Sequence, residues 1–169
     1  SPSPEPYGSW GNGSAMRVSG AGWLYDTIEE TRKAARLSAE VTHNHEEGIK
    51  GAEATASAIF LGRNGGSKEE IKAYIEKEFR YDLSRSLSEI RHLYSFDGSC
   101  QGTVPESIMC FLEGESTEDT IRNAISLGGD ADTMGAIAGS IAEAYWKEDL
   151  SLLVKPYLPD DIYSTLSRI

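Results

Sequence analysis

Apolar side chains recur every three to four positions along this chain, and no sustained alternation interrupts them, so the pattern predicts helices and no strand. From Tyr25 to about Val41, Ile28, Ala35, Leu37 and Ala39 supply an apolar stripe, while Glu29, Glu30, Arg32 and Lys33 face water. A break at Thr42 to Asn44 precedes a helix from Glu46 to about Leu61, whose many alanines permit close packing, and Gly62 to Gly66 ends it. Ser67 with Glu70 reads as a capping box opening a helix with Ile71, Tyr74, Ile75 and Phe79 on one side. Leu83 to Ile90 forms a shorter helix, and Phe96 to Gln101 a loop. Pro105 suits the first turn of a helix running through Ile108, Phe111 and Leu112 to Gly114. Ser116 and Asp119 mark another cap, for a helix ending at Leu127-Gly128-Gly129. A long helix then spans Asp132 to Trp146 with Met134, Ile137, Ala138, Ile141, Ala142 and Tyr145 as its stripe. Its small residues Gly135, Ala138, Gly139 and Ala142 predict close helix packing. Pro156 and Pro159 precede a last short helix, Asp161 to Leu166.

The first 22 residues break this pattern. They are rich in Pro, Gly and Ser, and at Tyr7-Gly8-Ser9-Trp10-Gly11-Asn12-Gly13-Ser14-Ala15-Met16-Arg17 glycines alternate with bulkier residues. That reads as a loop with tight turns, either approaching a ligand with its backbone or serving as an ordinary lead-in. The 169 residues are expected to form one helical domain, 1–169, with 1–22 as its arm; that size folds without a metal or disulfide. The formal charge of −11 repels phosphate backbones and argues against sequence-independent nucleic-acid binding. Cys100 and Cys110 lack the spacing of a metal knuckle and read as packed free thiols. Without a membrane-length apolar run or a signal peptide, the cytoplasm is the expected location.

The sharpest chemical signal is Gly128-Gly129-Asp130-Ala131-Asp132-Thr133, between one helix end and the next helix start. Two neighbouring carboxylates raise each other's cost unless a cation or a proton offsets them, and their oxygens, with a hydroxyl, suit Mg²⁺ or Mn²⁺. Asp132 as a helix cap with Asp130 in solvent is the competing reading. The spacing is not that of an EF-hand, because the turn glycine and terminal glutamate are missing.

Five segments in order carry a resemblance. Tyr7 to Arg17, Thr42-His43-Asn44-His45 with Gly51-Ala52, Cys100-Gln101-Gly102-Thr103-Val104-Pro105-Glu106-Ser107, Gly128 to Gly139, and Tyr157-Leu158-Pro159-Asp160 together resemble the ADP-ribosylglycohydrolase family. The resemblance implies an all-α, multi-helix orthogonal bundle that hydrolyses ADP-ribosyl glycosidic bonds on a protein or small-molecule substrate with two Mg²⁺ or Mn²⁺ ions. It implies Asp130, Asp132 and Thr133 as metal ligands, with Asp132 shared between the ions and contributing to catalysis through them. It assigns Tyr7, Gly8, Ser9, Trp10, Gly11, Asn12 and Gly13 to the distal ribose and phosphates, and His43 to the substrate cleft. The family's N-terminal Gly-Asp segment, its Thr-Asp-Asp or Asp-Asp-Thr motif and its catalytic acid have no counterpart before Tyr7. The expectation is therefore an N-terminally truncated site, completed by a missing segment or a second subunit, with little turnover by this chain alone. The alternatives are an inactive helical ADP-ribose-binding module and a purely structural domain.

Other residues carry less. Arg17 reads as a phosphate contact or a partner of a carboxylate, and Trp10 as a stacking surface or a cover for the core. His45 reads as a surface or capping residue, and His92 as incidental.

Overall fold

Capping side chains set where most helices begin. A computed structural model describes residues 5–167; four residues of the expected arm and the last two residues lie outside them. Among the described residues the regular structure is helical, with one isolated antiparallel bridge between Gly11 and Ser99. Two short helices, α1 (Gly13–Met16) and α2 (Ser19–Leu24), occupy part of the stretch whose composition predicts a loop. Packing overrides composition there: Ala15 and Val18 are buried, and Gly22 lies so close to Ile59 that a Cβ would approach its Cγ2 to 2.5 Å.

Seven longer helices follow: α3 (Ile28–Glu40), α4 (Glu46–Arg63), α5 (Lys68–Phe79), α6 (Leu87–Leu93), α7 (Cys100–Glu113), α8 (Thr117–Ser126) and α9 (Ala131–Trp146). The tail holds α10 (Ser151–Val154), a 3-10 turn (Lys155–Tyr157) and α11 (Asp160–Leu166). Thr27, Ser67 and Ser116 accept from the backbone N–H three residues on, and Glu70 completes the predicted box. Ser86 and Glu89 form a second capping box, which starts α6 at Leu87 rather than near Leu83. Ser99 caps α7, so Pro105 lies inside that helix and not in its first turn, and its missing N–H leaves the Gln101 carbonyl without the usual helical donor. The buried face of α3 is Thr31, Ala35 and Ala39, one residue every helical turn, whereas Leu37 falls off that face and is exposed.

Helix α4 is the centre. Ala52, Ala54, Ala56 and Ala58 are fully buried, because α1, α2, α3, α5, α7 and α9 surround it. Its small side chains allow these approaches: a Cβ on Gly51 would lie 2.5 Å from Cys100 Sγ. The main core gathers Ile71, Ile75, Leu83, Ile108, Phe111 and the α9 stripe Met134, Ile137 and Ile141. A smaller cluster of Val18, Ala35, Ala39, Ile49, Ala52 and Ala56 ties α2 and α3 to α4. On α9, Gly139 packs against Ile121, but a Cβ on Gly135 would meet nothing within 4 Å, so Gly135 is not a packing glycine. No helix among the described residues is long and apolar enough to cross a membrane.

Candidate functional site

The glycine-rich segment is pinned at both ends. Gly8, at φ +68°, donates its N–H to Asn44 Oδ1 at 2.7 Å, and the Gly11 N–H bonds Ser9 Oγ at 3.1 Å. The Asn12 N–H donates to the Gly98 carbonyl, and the Cys100 N–H to the Trp10 carbonyl, at 2.8 and 2.9 Å. The loop therefore lies along the entry to α7, where the Trp10 carbonyl satisfies a first-turn donor. The Gly11 and Asn12 amides are committed within the protein. Among the described residues the Ser9, Trp10 and Gly13 N–H groups make no such bond. Ser14 Oγ donates to the Gly48 carbonyl at 2.7 Å, fixing the loop to α4.

His43 sits beneath the loop, buried, with Nε2 close to the open sides of Gly11 and Gly13. Thr42 Oγ1 is 2.6 Å from His43 Nδ1, and the Arg17 guanidinium bonds Thr42 Oγ1 at 2.7 Å and Nδ1 at 3.4 Å. A guanidinium only donates, so Nδ1 accepts and the ring proton resides on Nε2, toward the loop. Burial, and then the charge of Arg17, lower the His43 pKa from its ordinary value. Arg17 has found a hydroxyl and an imidazole rather than the carboxylate partner considered for it. Tyr7 and Trp10 stand exposed at the rim, Tyr7 with its ring 6.2 Å from that of His43. Trp10 meets the His45 ring edge-on at 5.6 Å and does not cover the core. His45 caps α4 by accepting from the Glu47 N–H at 3.1 Å.

The acidic corner faces the same loop. Gly128, at φ +73°, reverses the chain after α8, and Gly129 leaves the space that the Tyr94 ring fills. Asp130 occupies the N-cap position of α9 but makes no capping bond; its Oδ2 accepts from Asn12 Nδ2 at 2.6 Å. Asp132 lies in the first turn of α9 rather than capping it. Its carboxyl is held below the usual carboxylate range, first by a hydrogen bond with Asp130, then by the Thr133 and Asp132 N–H groups. Thr133 is buried and donates Oγ1 to Met16 Sδ at 3.5 Å, joining α9 to α1.

The donors at this corner are therefore two carboxyl groups at the start of α9 and one hydroxyl. Hard oxygen donors suit a hard divalent cation. Among the described residues no group of three or more His, Cys, Asp or Glu side chains gathers to hold a metal, so these three fit part of a coordination shell and not a complete one. The two cysteines are buried and unpaired by a disulfide, as their spacing predicts. Sequence reasoning missed Thr103, whose hydroxyl accepts from Asn12 Nδ2 at 3.1 Å; only its place beside Cys100 and Pro105 could have marked it.

A family model for ADP-ribosylglycohydrolase matches residues 1–162. Curated relatives include the ADP-ribosylhydrolase ARH3 of Bos taurus, 31% identical over 82% of this chain and 50% of its own. ARH3 of Homo sapiens is 29% identical over 84% of this chain and 52% of its own. A solved ADP-ribosylglycohydrolase-related protein complex is similar in fold, with a TM-score of 0.68 and 29% identity, covering 84% of this chain and 52% of that one. The chain spans about half the length of the curated relatives it matches. With the helical fold and the ordered motifs, the match places this chain in the ADP-ribosylglycohydrolase family.

Proposed function

We propose that this chain carries the ADP-ribose loop and part of the divalent-cation site of a hydrolase that cleaves ADP-ribosyl glycosidic bonds. The observation that carries the reading is the 2.6 Å bond from Asn12 in the glycine loop to Asp130 at the acidic corner, which makes the two motifs one site. In this reading the Ser9, Trp10 and Gly13 amides face the phosphates, Tyr7 and His43 flank the ribose, and His43 Nε2–H is available as a donor. Asp130, Asp132 and Thr133 would hold part of the shell of Mg²⁺ or Mn²⁺, which would supply positive charge beside the ribose hydroxyls and the anomeric carbon. Asp132 contributes to catalysis as a ligand, and the catalytic acid and remaining ligands come from a further segment or a second subunit. The substrate is an ADP-ribosylated protein or small molecule.

A second reading has one observation of its own: the two-carboxylate, one-hydroxyl donor set leaves most of an octahedral shell to water. Under it the chain binds ADP-ribose without turnover. Release of ADP-ribose from a modified peptide in Mn²⁺ separates the two. The expected result is negligible release by the chain alone. Adding a polypeptide matching the part of the relatives this chain does not span should give release that Asp132→Ala abolishes. No release in the mixture would leave only the binding reading, while dilution-independent turnover by the chain alone would overturn the need for a complement.

A further inference from the structure

We infer that Asn12 and Thr103 are positioning residues, forming a buried polar brace that fixes the Asp130 carboxylate for cation binding; this rests on the cation-site reading above. Asn12 and Asp130 stand at the N-cap positions of α1 and α9, and both are residue types that ordinarily cap helices. Neither makes a side-chain capping bond here; their side chains bond each other instead.

The polarity of the brace follows from its members. The single hydroxyl hydrogen of Thr103 goes to the Asp97 carbonyl at 2.8 Å, so Thr103 Oγ1 can only accept from Asn12. Asp130 Oδ2 accepts from the same amide nitrogen. The Asn12 amide nitrogen therefore faces both neighbours, one hydrogen to each, and its orientation is set by chemistry. The Asn12 backbone is anchored to the Gly98 carbonyl, next to Asp97, so the same short loop holds both ends of the brace. Thr103 is fully buried and Asn12 nearly so, which leaves little room for an alternative rotamer. Such a link behind one ligand orients its oxygens, as outer-shell partners do in metal sites.

The test is Mn²⁺ binding by the full chain, read as loss of the free-ion electron paramagnetic resonance signal, with thermal melting alongside. Thr103→Val keeps the shape and removes the hydroxyl; Thr103→Ser keeps the hydroxyl. The expected result is about tenfold weaker Mn²⁺ binding for Thr103→Val, and for Thr103→Ser an affinity within about twofold of wild type. Asn12→Ala, outside the main core, should repeat the loss should Thr103→Val fail to fold. Saturable wild-type binding that Asp130→Asn removes but Thr103→Val and Asn12→Ala leave intact would overturn the brace while leaving the cation site standing. Equal losses in Thr103→Val and Thr103→Ser would reduce Thr103 to packing and overturn it as well. Wild-type binding no stronger than that of Asp130→Asn would overturn the cation site itself, and the brace with it.

Discussion

His43 is held neutral by its surroundings. Burial disfavours the imidazolium, the Arg17 guanidinium adds repulsion, and both lower its pKa below the ordinary 6.5. The sign of the consequence is fixed. Between the folded and unfolded pKa values the unfolded chain binds more protons, so the stability associated with neutral His43 is present above about pH 6.5 and is lost as pH falls through the folded value. A proton NMR titration of the His43 ring should give a midpoint below 6.5, and Arg17→Gln should move it upward without restoring it fully, because burial is the larger cause. A midpoint at or above 6.5 would contradict the buried, guanidinium-facing placement. In the proposed reading, a neutral ring with its proton on Nε2 presents a donor to the glycine loop, and a protonated one adds charge beside Arg17.

Helix α4 sets how close the loop approaches the core, and Gly48 is where the approach is tightest. A Cβ there would lie 2.7 Å from the Ser9 carbonyl oxygen and 3.1 Å from His43 Cβ, atoms that cannot swing aside without moving the backbone. Gly48→Ala should destabilise the chain by about 1–3 kcal/mol despite alanine's better helix propensity, and should weaken ADP-ribose binding by displacing Ser9. Gly135→Ala on α9 meets open space and should instead stabilise by roughly 0.5–1 kcal/mol. Urea denaturation of the two variants measures the contrast; like-signed effects would contradict the packing described. Much at this scale was legible in the sequence. The Ser67 and Ser116 caps, the alanine-rich α4 and the α9 stripe follow from local pattern, because capping and 3.6-residue periodicity are local properties. The start of α7 was not, because Pro105 is a stronger punctuation mark than Ser99, and the partner that stabilises the earlier start is the distant Trp10 carbonyl. Helices α1 and α2 were hidden for a similar reason: their glycine-rich sequence is helical only against Ile59 and the rest of α4. At the site, Asp130, Asp132 and the loop stood out by residue type and spacing. The Asn12–Asp130 bond joins positions at opposite ends of the chain, and no local pattern announces it.

At the scale of the molecule, the chain is a helical body whose N-terminal loop and last long helix converge on one corner. It belongs to a family whose curated members it spans by about half. The net charge of −11 favours cations over polyanions at its surface. The two carboxyl groups and one hydroxyl at the start of α9 fit a partial cation site, and the proposed division of labour follows: recognition here, completion of the catalytic shell from elsewhere. Recognition is the central claim, and isothermal titration of the full chain with ADP-ribose in Mg²⁺ tests it most directly. The expected result is saturable binding of one ADP-ribose per chain, weakened at least tenfold by Gly11→Val, whose side chain would crowd Ser9 Oγ and His43 Nε2. No saturable heat, or binding indifferent to Gly11→Val, would contradict it.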